Sequence, residues 1–192
     1  EKTLKVRRYS ALPMMAMSFN DFGILLYEDY KGYEDPLRKH HTSSVTRDVW
    51  KYLPKKDVYS KLSSFKGENR NPVFCANGRD FFFLSEQSGT MNVWQSNINQ
   101  PDSLYRITSL QTHPVRSLSV AADNTLAFSY NGDVYTCIPG QNPVKVEMTI
   151  TKDVFNRSDI MRKVGTGISS VAISPNGKEL AIVSPGDVFV TS

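Results

Sequence analysis

Long apolar runs are missing from this 192-residue sequence. Its best stretches, Gly23-Ile24-Leu25-Leu26-Tyr27 and Phe81-Phe82-Phe83-Leu84, fall far short of the roughly 18 residues that a spanning helix needs, so a soluble chain without membrane insertion is expected. Cysteine is scarce: Cys75 and Cys137 lie in separate apolar segments without CxxC spacing, which favours buried free thiols over a disulfide or a metal pair. Neither sign of charge dominates. The 23 basic and 19 acidic residues are interspersed, leaving a formal charge of +4. The densest basic stretches, Lys5-Val6-Arg7-Arg8 and Arg38-Lys39-His40-His41, are too short for a nucleic-acid-reading stripe, so nucleic acid is not an expected partner.

Motifs for chemistry are equally thin. His40, His41 and His113 are the only histidines, and there is no G-x-S-x-G elbow to carry a triad nucleophile. Gly165-Thr166-Gly167-Ile168-Ser169-Ser170 lacks the third glycine and the lysine of phosphate loops and precedes a strand pattern, so it reads as a loop. His40 and His41, with Asp35 or Asp48 near them in sequence, do not make a metal site, because adjacent residues on an extended chain point to opposite sides and a bound metal needs about three or four convergent ligands. No catalytic residue, metal or cofactor is therefore expected. What remains is an ordinary globular composition, 40% hydrophobic and 22% charged, which excludes disorder.

What is present is a repeat. Asp or Asn, then Val, then an aromatic occurs as Asp48-Val49-Trp50, Asn92-Val93-Trp94, Asp133-Val134-Tyr135 and Asp187-Val188-Phe189, at intervals of 44, 41 and 54 residues. Two intervals fit the roughly 40–45 residues of a four-stranded propeller blade, and the third carries an insertion. Ahead of the later three copies runs an apolar strand, a tight turn and a second apolar strand, with turns at Ala76-Asn77-Gly78-Arg79, Ala122-Asp123-Asn124 and Pro175-Asn176-Gly177-Lys178. Asn-Gly supplies the positive φ of a hairpin turn. Fourth strands follow the first three copies, at Val58–Leu62, Leu104–Thr108 and Val144–Met148. Each unit thus reads as a four-stranded antiparallel meander. In each motif the Asp or Asn can bond backbone near a turn, while Val and the aromatic point to opposite faces, so both faces require cover. Sheets stacked around an axis meet that demand. Two packed sheets are the alternative, although a sandwich lacks a full-length repeat.

The fold expected is all-β, with units from Met14 to Leu62, Pro72 to Thr108 and Val115 to Met148, and three strands of a fourth from Ser170 to Ser192. Leu4 to Tyr9 reads as an outermost strand of a preceding unit. The sequence opens on Glu1, with no basic-then-apolar leader, and stops within a strand pattern, so a piece of something longer and an incomplete ring are expected. Met14, Met15 and Met17 read as core.

Phe82 to Trp94, containing Ser85-Glu86-Gln87-Ser88-Gly89 and Asn92-Val93-Trp94, resembles the blade pattern of the tricorn and tricorn-like serine peptidases, with TolB and dipeptidyl-peptidase propellers as more distant likenesses. His113 to Leu118 and Tyr130 to Tyr135 are similar to a late blade of the first tricorn propeller. Ser174-Pro175-Asn176-Gly177-Lys178-Glu179-Leu180-Ala181 is similar to the widespread "S-P-D-G-K-x-[IL]-A", with Asn176 in place of Asp. The resemblance implies blades over 1–150, a crossover between two propellers over 151–169, and a further blade or second propeller opening at 170–192; a long loop within one propeller is the other reading of the middle segment. It also implies a non-catalytic piece that guides or gates peptide substrates toward a C-terminal peptidase core not in this sequence. The parent chain would be a serine peptidase, periplasmic or secreted, with cytoplasmic the alternative. Its partners would be peptides and the remaining propeller and peptidase domains. A TolB-like protein-interaction scaffold with no protease attached is the other functional reading. Open sheet faces would also let the chain dimerise.

One non-repeat segment stands out as a contact surface. Between the second and third strands of the first unit, Glu28 to Arg47 mixes Tyr30 and Tyr33 with Arg38, Lys39, His40 and His41, on a loop of the kind that carries function more often than strands do. The other reading is an ordered loop that packs on the next unit or caps an axial channel.

Overall fold

The structure, a computed structural model, describes residues 8–33, 35, 42–149, 167–184 and 186–191. The described residues form strands and no helix. Contacts divide the chain into two compact units, Glu1–Met148 and Thr149–Ser192.

The first unit holds three four-stranded antiparallel sheets, each a meander in chain order. The first sheet is β1 (Met14–Phe19), β2 (Leu25–Asp29), β3 (Val49–Leu53) and β4 (Val58–Lys61). The second is β5 (Asn69–Phe74), β6 (Asp80–Ser85), β7 (Asn92–Asn97) and β8 (Gln100–Arg106), and the third is β9 (Arg116–Val120), β10 (Leu126–Tyr130), β11 (Asp133–Cys137) and β12 (Val144–Lys145). In the second unit β13 (Ser170–Ile173), β14 (Leu180–Ser184) and β15 (Asp187–Thr191) make a three-stranded sheet of the same order. The strand placement follows the repeat seen in the sequence.

Alternation along the strands decides the packing. On β6, Phe81 and Phe83 join Leu26, Val49, Leu62 and Phe74 between the first two sheets, whereas Phe82 and Leu84 join Val93, Val115, Leu126 and Phe128 between the second and third. The second sheet is thus buried on both faces, as its four-residue apolar run demands. The repeated motif behaves in the same way. Val49 and Val93 are fully buried toward the following sheet, while Trp94 packs back against the preceding one. In the third sheet Tyr135 packs back as well, and Val134 is 36% exposed.

The Asp or Asn of the motif does not bond the turn alone. Asn92 Oδ1 accepts hydrogen bonds from Thr108 Oγ1 (2.8 Å) and Leu110 N (2.9 Å), and Thr108 Oγ1 in turn accepts from Val93 N (2.9 Å). In the first sheet Ser63 does the same, donating to Asp48 Oδ1 (2.9 Å) and accepting from Val49 N (3.1 Å). The motif therefore closes each of these two sheets by tying its third strand to the chain leaving its fourth. Lys31 and Lys61 also pair with Asp48, at 2.8 and 2.9 Å. Burial alone would raise the Asp48 carboxyl, but hydrogen bonds from Lys31, Lys61 and Ser63 outweigh it and hold the group below its ordinary value of 3.8.

Turn chemistry is local. Asn77 Oδ1 accepts from Arg79 N and Asp80 N (3.0 and 2.9 Å), and Gly78 turns the chain at φ 63° where a Cβ would come within 3.1 Å of Phe22. Cys75 and Cys137 are free and buried. Burial, and then the Asp80 carboxylate, pushes the Cys75 thiol up to about 12.

The methionines of β1 correct an expectation. Met14 is half-buried, but Met15 and Met17 are 42% and 56% exposed. β1 is the edge strand of its sheet, and β5 packs against it from one side, so the two-sided burial seen at β6 does not extend to it.

Two outcomes are expected. Thr108→Ala deletes both of its buried hydrogen bonds and leaves Asn92 short of a donor, lowering stability in a urea melt by about 1–3 kcal/mol, with Thr108→Ser close to the native protein. Because the folded Asp48 carboxyl titrates below its ordinary value, its contribution is complete above about pH 4 and is lost as pH falls through the folded value. Asp48→Asn should accordingly flatten the acid limb of a stability–pH curve, and an unchanged limb would rule this out.

Candidate functional site

The edge strands β1, β5 and β9 share an irregularity that neither composition nor propensity announces. Pairing with the neighbouring strand slips between Met15 and Ser18, between Arg70 and Val73, and opposite Arg116 to Ser119. At each slip one residue with a side chain sits in the left-handed region: Ala16 at φ 45°, Asn71 at 52° and Ser117 at 54°. These are β-bulges, which locally bend a strand and re-aim its side chains. All three bulge residues line one cavity of about 320 Å³.

Charge is concentrated at that cavity. Glu28, Arg70 and Arg116 line it over an apolar floor of Leu84, Met91 and Val115. The Glu28 carboxylate is buried. Its Oε1 accepts from Arg47 Nη1 at 2.6 Å, and its Oε2 accepts from Asn71 N on the neighbouring sheet at 2.8 Å. Asn71 passes the connection on, with its side-chain amide donating to Leu118 O (3.1 Å) and accepting from Leu118 N (3.2 Å). One polar chain thus crosses all three sheets of the unit. Arg70 Nε pairs with Glu68. Burial, and then the neighbouring Arg70 guanidinium, pushes Arg116 below the usual guanidinium range, while Asp35 and Glu86 pull it back up. At the opposite ends of the same strands a second cavity, about 230 Å³, is walled largely by turn residues and carries one charged side chain, Asp21.

Of the contact-loop residues expected from the sequence, Tyr30 and Tyr33 are described, and Arg38, Lys39, His40 and His41 lie outside the described residues. Tyr30 is 40% exposed and stacks under Arg47, whose guanidinium carbon is 5.6 Å from the ring centre. Tyr33 is 84% exposed, an aromatic ring standing in water. The loop meets the cavity through Arg47, which holds Glu28, and through Asp35, whose charge acts on Arg116. Reading the sequence missed Arg70, Asn71 and Arg116. The signal that locates them is positional: Met15-Ala16, Arg70-Asn71 and Arg116-Ser117 each begin six residues before the first turn residue, Asp21, Ala76 or Ala122. Among the described residues no group of three or more His, Cys, Asp or Glu is placed to hold a metal ion.

No protein-family model matches the sequence, and no curated protein matches it significantly. Solved structures do match in fold. The tricorn protease structure aligns over 93% of this chain and 17% of its own length, at 17% identity and a TM-score of 0.59. TolB from Acinetobacter baumannii aligns over 90% of this chain and 38% of its own, at 14% identity and 0.55. A gluconolactonase from Xanthomonas campestris aligns over 94% and 58%, at 11% identity and 0.54. The sheets are β-propeller blades. This chain spans less than two thirds of the length of each of those proteins, and at such identities the likeness concerns fold. In propeller terms β1, β5 and β9 are the first strands of consecutive blades, so the bulges, Glu28 and the two arginines lie at one end of a blade-to-blade seam.

The buried Glu28 yields a prediction. Glu28→Gln leaves the Arg47 charge buried without its counter-ion and should cost about 3–5 kcal/mol. Glu28→Gln combined with Arg47→Met removes the stranded charge and should recover more than half of that loss, as read by denaturant unfolding. A double variant no better than the single one would show that the ion pair is not the source of the cost.

Proposed function

We propose that this chain is a non-catalytic propeller portion of a tricorn-like serine peptidase, guiding or gating peptide substrates toward a peptidase core outside this sequence. The observation that carries the reading is the charged, bulge-lined cavity on the first strands of three blades, where Glu28, Arg70 and Arg116 stand over an apolar floor. A polypeptide in extended form offers backbone donors and acceptors together with side chains of both signs. A seam that sets two half-buried arginines beside apolar surface can hold many such sequences weakly, which is what a passage requires. Within this proposal residues 1–150 are blades of one propeller, 151–169 a crossover or long loop, 170–192 the start of another blade or propeller, and the parent is periplasmic or secreted.

One observation favours a second reading, a TolB-like scaffold that binds a folded partner. The exposed Tyr33 ring beside half-exposed Tyr30 is the amphipathic aromatic surface that protein interfaces enrich. The two readings respond differently to the same variants. On the peptidase reading, fluorescence anisotropy should show weak binding of diverse unstructured peptides without cleavage. Arg116→Ala should weaken that binding severalfold and Tyr33→Ala leave it unchanged. The scaffold reading reverses the two variants. Peptide cleavage that survives repurification would sink both. Light scattering at high protein concentration checks the accompanying proposal that the chain self-associates, which a clean monomer would refute.

A further inference from the structure

We propose that the first blade carries a binding site for a small quaternary ammonium group, separate from the seam described above. The site is a cavity of about 200 Å³ lined by Leu12, Pro13, Tyr27, Asp29, Tyr30 and Trp50. Tyr27 and Trp50 are directly opposed on β2 and β3, so both rings stand on one face of the sheet. Tyr30 follows at the end of β2, and Leu12 and Pro13 come from the segment before β1. Three aromatic side chains and a carboxylate around one small cavity are the components of an aromatic cage, a kind of site in which ring faces attract a cation by their quadrupoles. The volume is below the roughly 300–1,000 Å³ of clefts for drug-sized ligands, so it suits a compact head group.

The hydrogen bonds already made inside the cage decide what kind of cation it takes. Asp29 Oδ1 accepts from Asp48 N at 2.8 Å, and Asp29 Oδ2 accepts from Trp50 Nε1 at 3.0 Å with Lys31 Nζ 3.3 Å away. A primary ammonium or a guanidinium loses water on entry and must donate hydrogen bonds in exchange, whereas both oxygens of this carboxylate already accept one and Oδ2 also faces Lys31. A tetraalkylated nitrogen has no proton to donate. It needs only aromatic surface and a nearby carboxylate, whose charge Lys31 shares between Asp29 and Asp48. The buried Tyr27 hydroxyl, raised to about 12 by burial and then by Asp29 and Tyr59, stays neutral and adds no competing charge. Two fixed cations stand close by, and each is paired: Arg47, at the Tyr30 ring, with Glu28 at 2.6 Å, and Lys31 with Asp48 at 2.8 Å as well as with Asp29.

The test uses the full chain carrying Trp94→Phe, so that emission reports Trp50 alone. Choline and its neutral tert-butyl isostere, 3,3-dimethylbutan-1-ol, are titrated against it, with calorimetry in parallel. Saturable binding of choline at least about tenfold tighter than the isostere is expected. By calorimetry on the otherwise native chain, Trp50→Leu should weaken choline about tenfold or more. Because Trp50 is also packed, thermal melting accompanies that variant, and Tyr30→Ala, at a half-exposed position, provides a second readout with severalfold weakening. Equal affinity for the isostere, no saturable signal, or unchanged binding in Tyr30→Ala overturns the proposal. Phosphatidylcholine vesicles form the last arm: sedimentation with them, competed by free choline, assigns the group to a lipid source, and choline binding without sedimentation assigns it to a soluble one.

Discussion

Burial of the Glu28 carboxylate is the constraint on which the first three blades depend. Taking a carboxylate out of water costs several kcal/mol unless its lone pairs are filled. Here they are filled from two directions, by Arg47 within the same blade and by the Asn71 amide of the next. Neither donor suffices alone. Arg47 offsets the charge but its Nε is itself buried without a partner, and Asn71 N supplies direction without charge. The carboxylate is therefore satisfied only when two blades are docked in register. The same Asn71 side chain then grips Leu118, so the register of the second blade is passed to the third.

Apolar packing supplies the driving force that this polar chain steers. Phe81 and Phe83 on one side of β6 and Phe82 and Leu84 on the other fill two inter-blade cores, with side chains worth roughly 1.5–3 kcal/mol each on burial. Such contacts tolerate sliding, because one apolar surface fits another at several offsets. Directional bonds at the two ends of the seam remove that freedom. At one end stand Glu28 and Asn71; at the other, Asn20 Nδ2 donates to Gly78 O at 2.7 Å, and Ala76 N donates to Asn124 Oδ1 at 2.7 Å. Each seam is thus apolar along its length and pinned by side-chain-to-backbone bonds.

The repeat was legible because its residues do the same work in each copy. Val49 and Val93 face forward and Trp94 and Tyr135 face back, so selection for one geometry leaves one pattern. Turns were legible for the same reason, since Asn-Gly answers a local backbone demand. The partners that close each sheet, Ser63 and Thr108, were not recognised, because a hydroxyl 15 or 16 residues beyond the motif has no local rationale until the fourth strand has returned. The seam cavity was illegible for a stronger reason. Its bulge residues are Ala, Asn and Ser, which share no propensity, and its charges come from positions 28, 70 and 116 on three sheets. The methionines of β1 misled in the opposite sense. A periodicity rule treats all strands of a repeat alike, whereas burial depends on what lies beside each strand.

Strain at the bulges marks the seam cavity independently of any likeness to other proteins. A residue with a Cβ in the left-handed region costs about 1–2 kcal/mol, and Asn is the side chain that lowers this cost. Only one of the three positions has Asn, so Ala16 and Ser117 keep a penalty that glycine would remove. A regular first strand would also have kept its pairing with the second. What the irregularity achieves is positional: it breaks the ladder where Arg70 and Arg116 stand and opens the space that both of them line. The stabilising bonds through Glu28 and Asn71 run through the same residues. Strain, stabilisation and charge therefore coincide at one end of the seam, where the bonds that hold the blades in register also hold Glu28, Arg70 and Arg116 around one cavity.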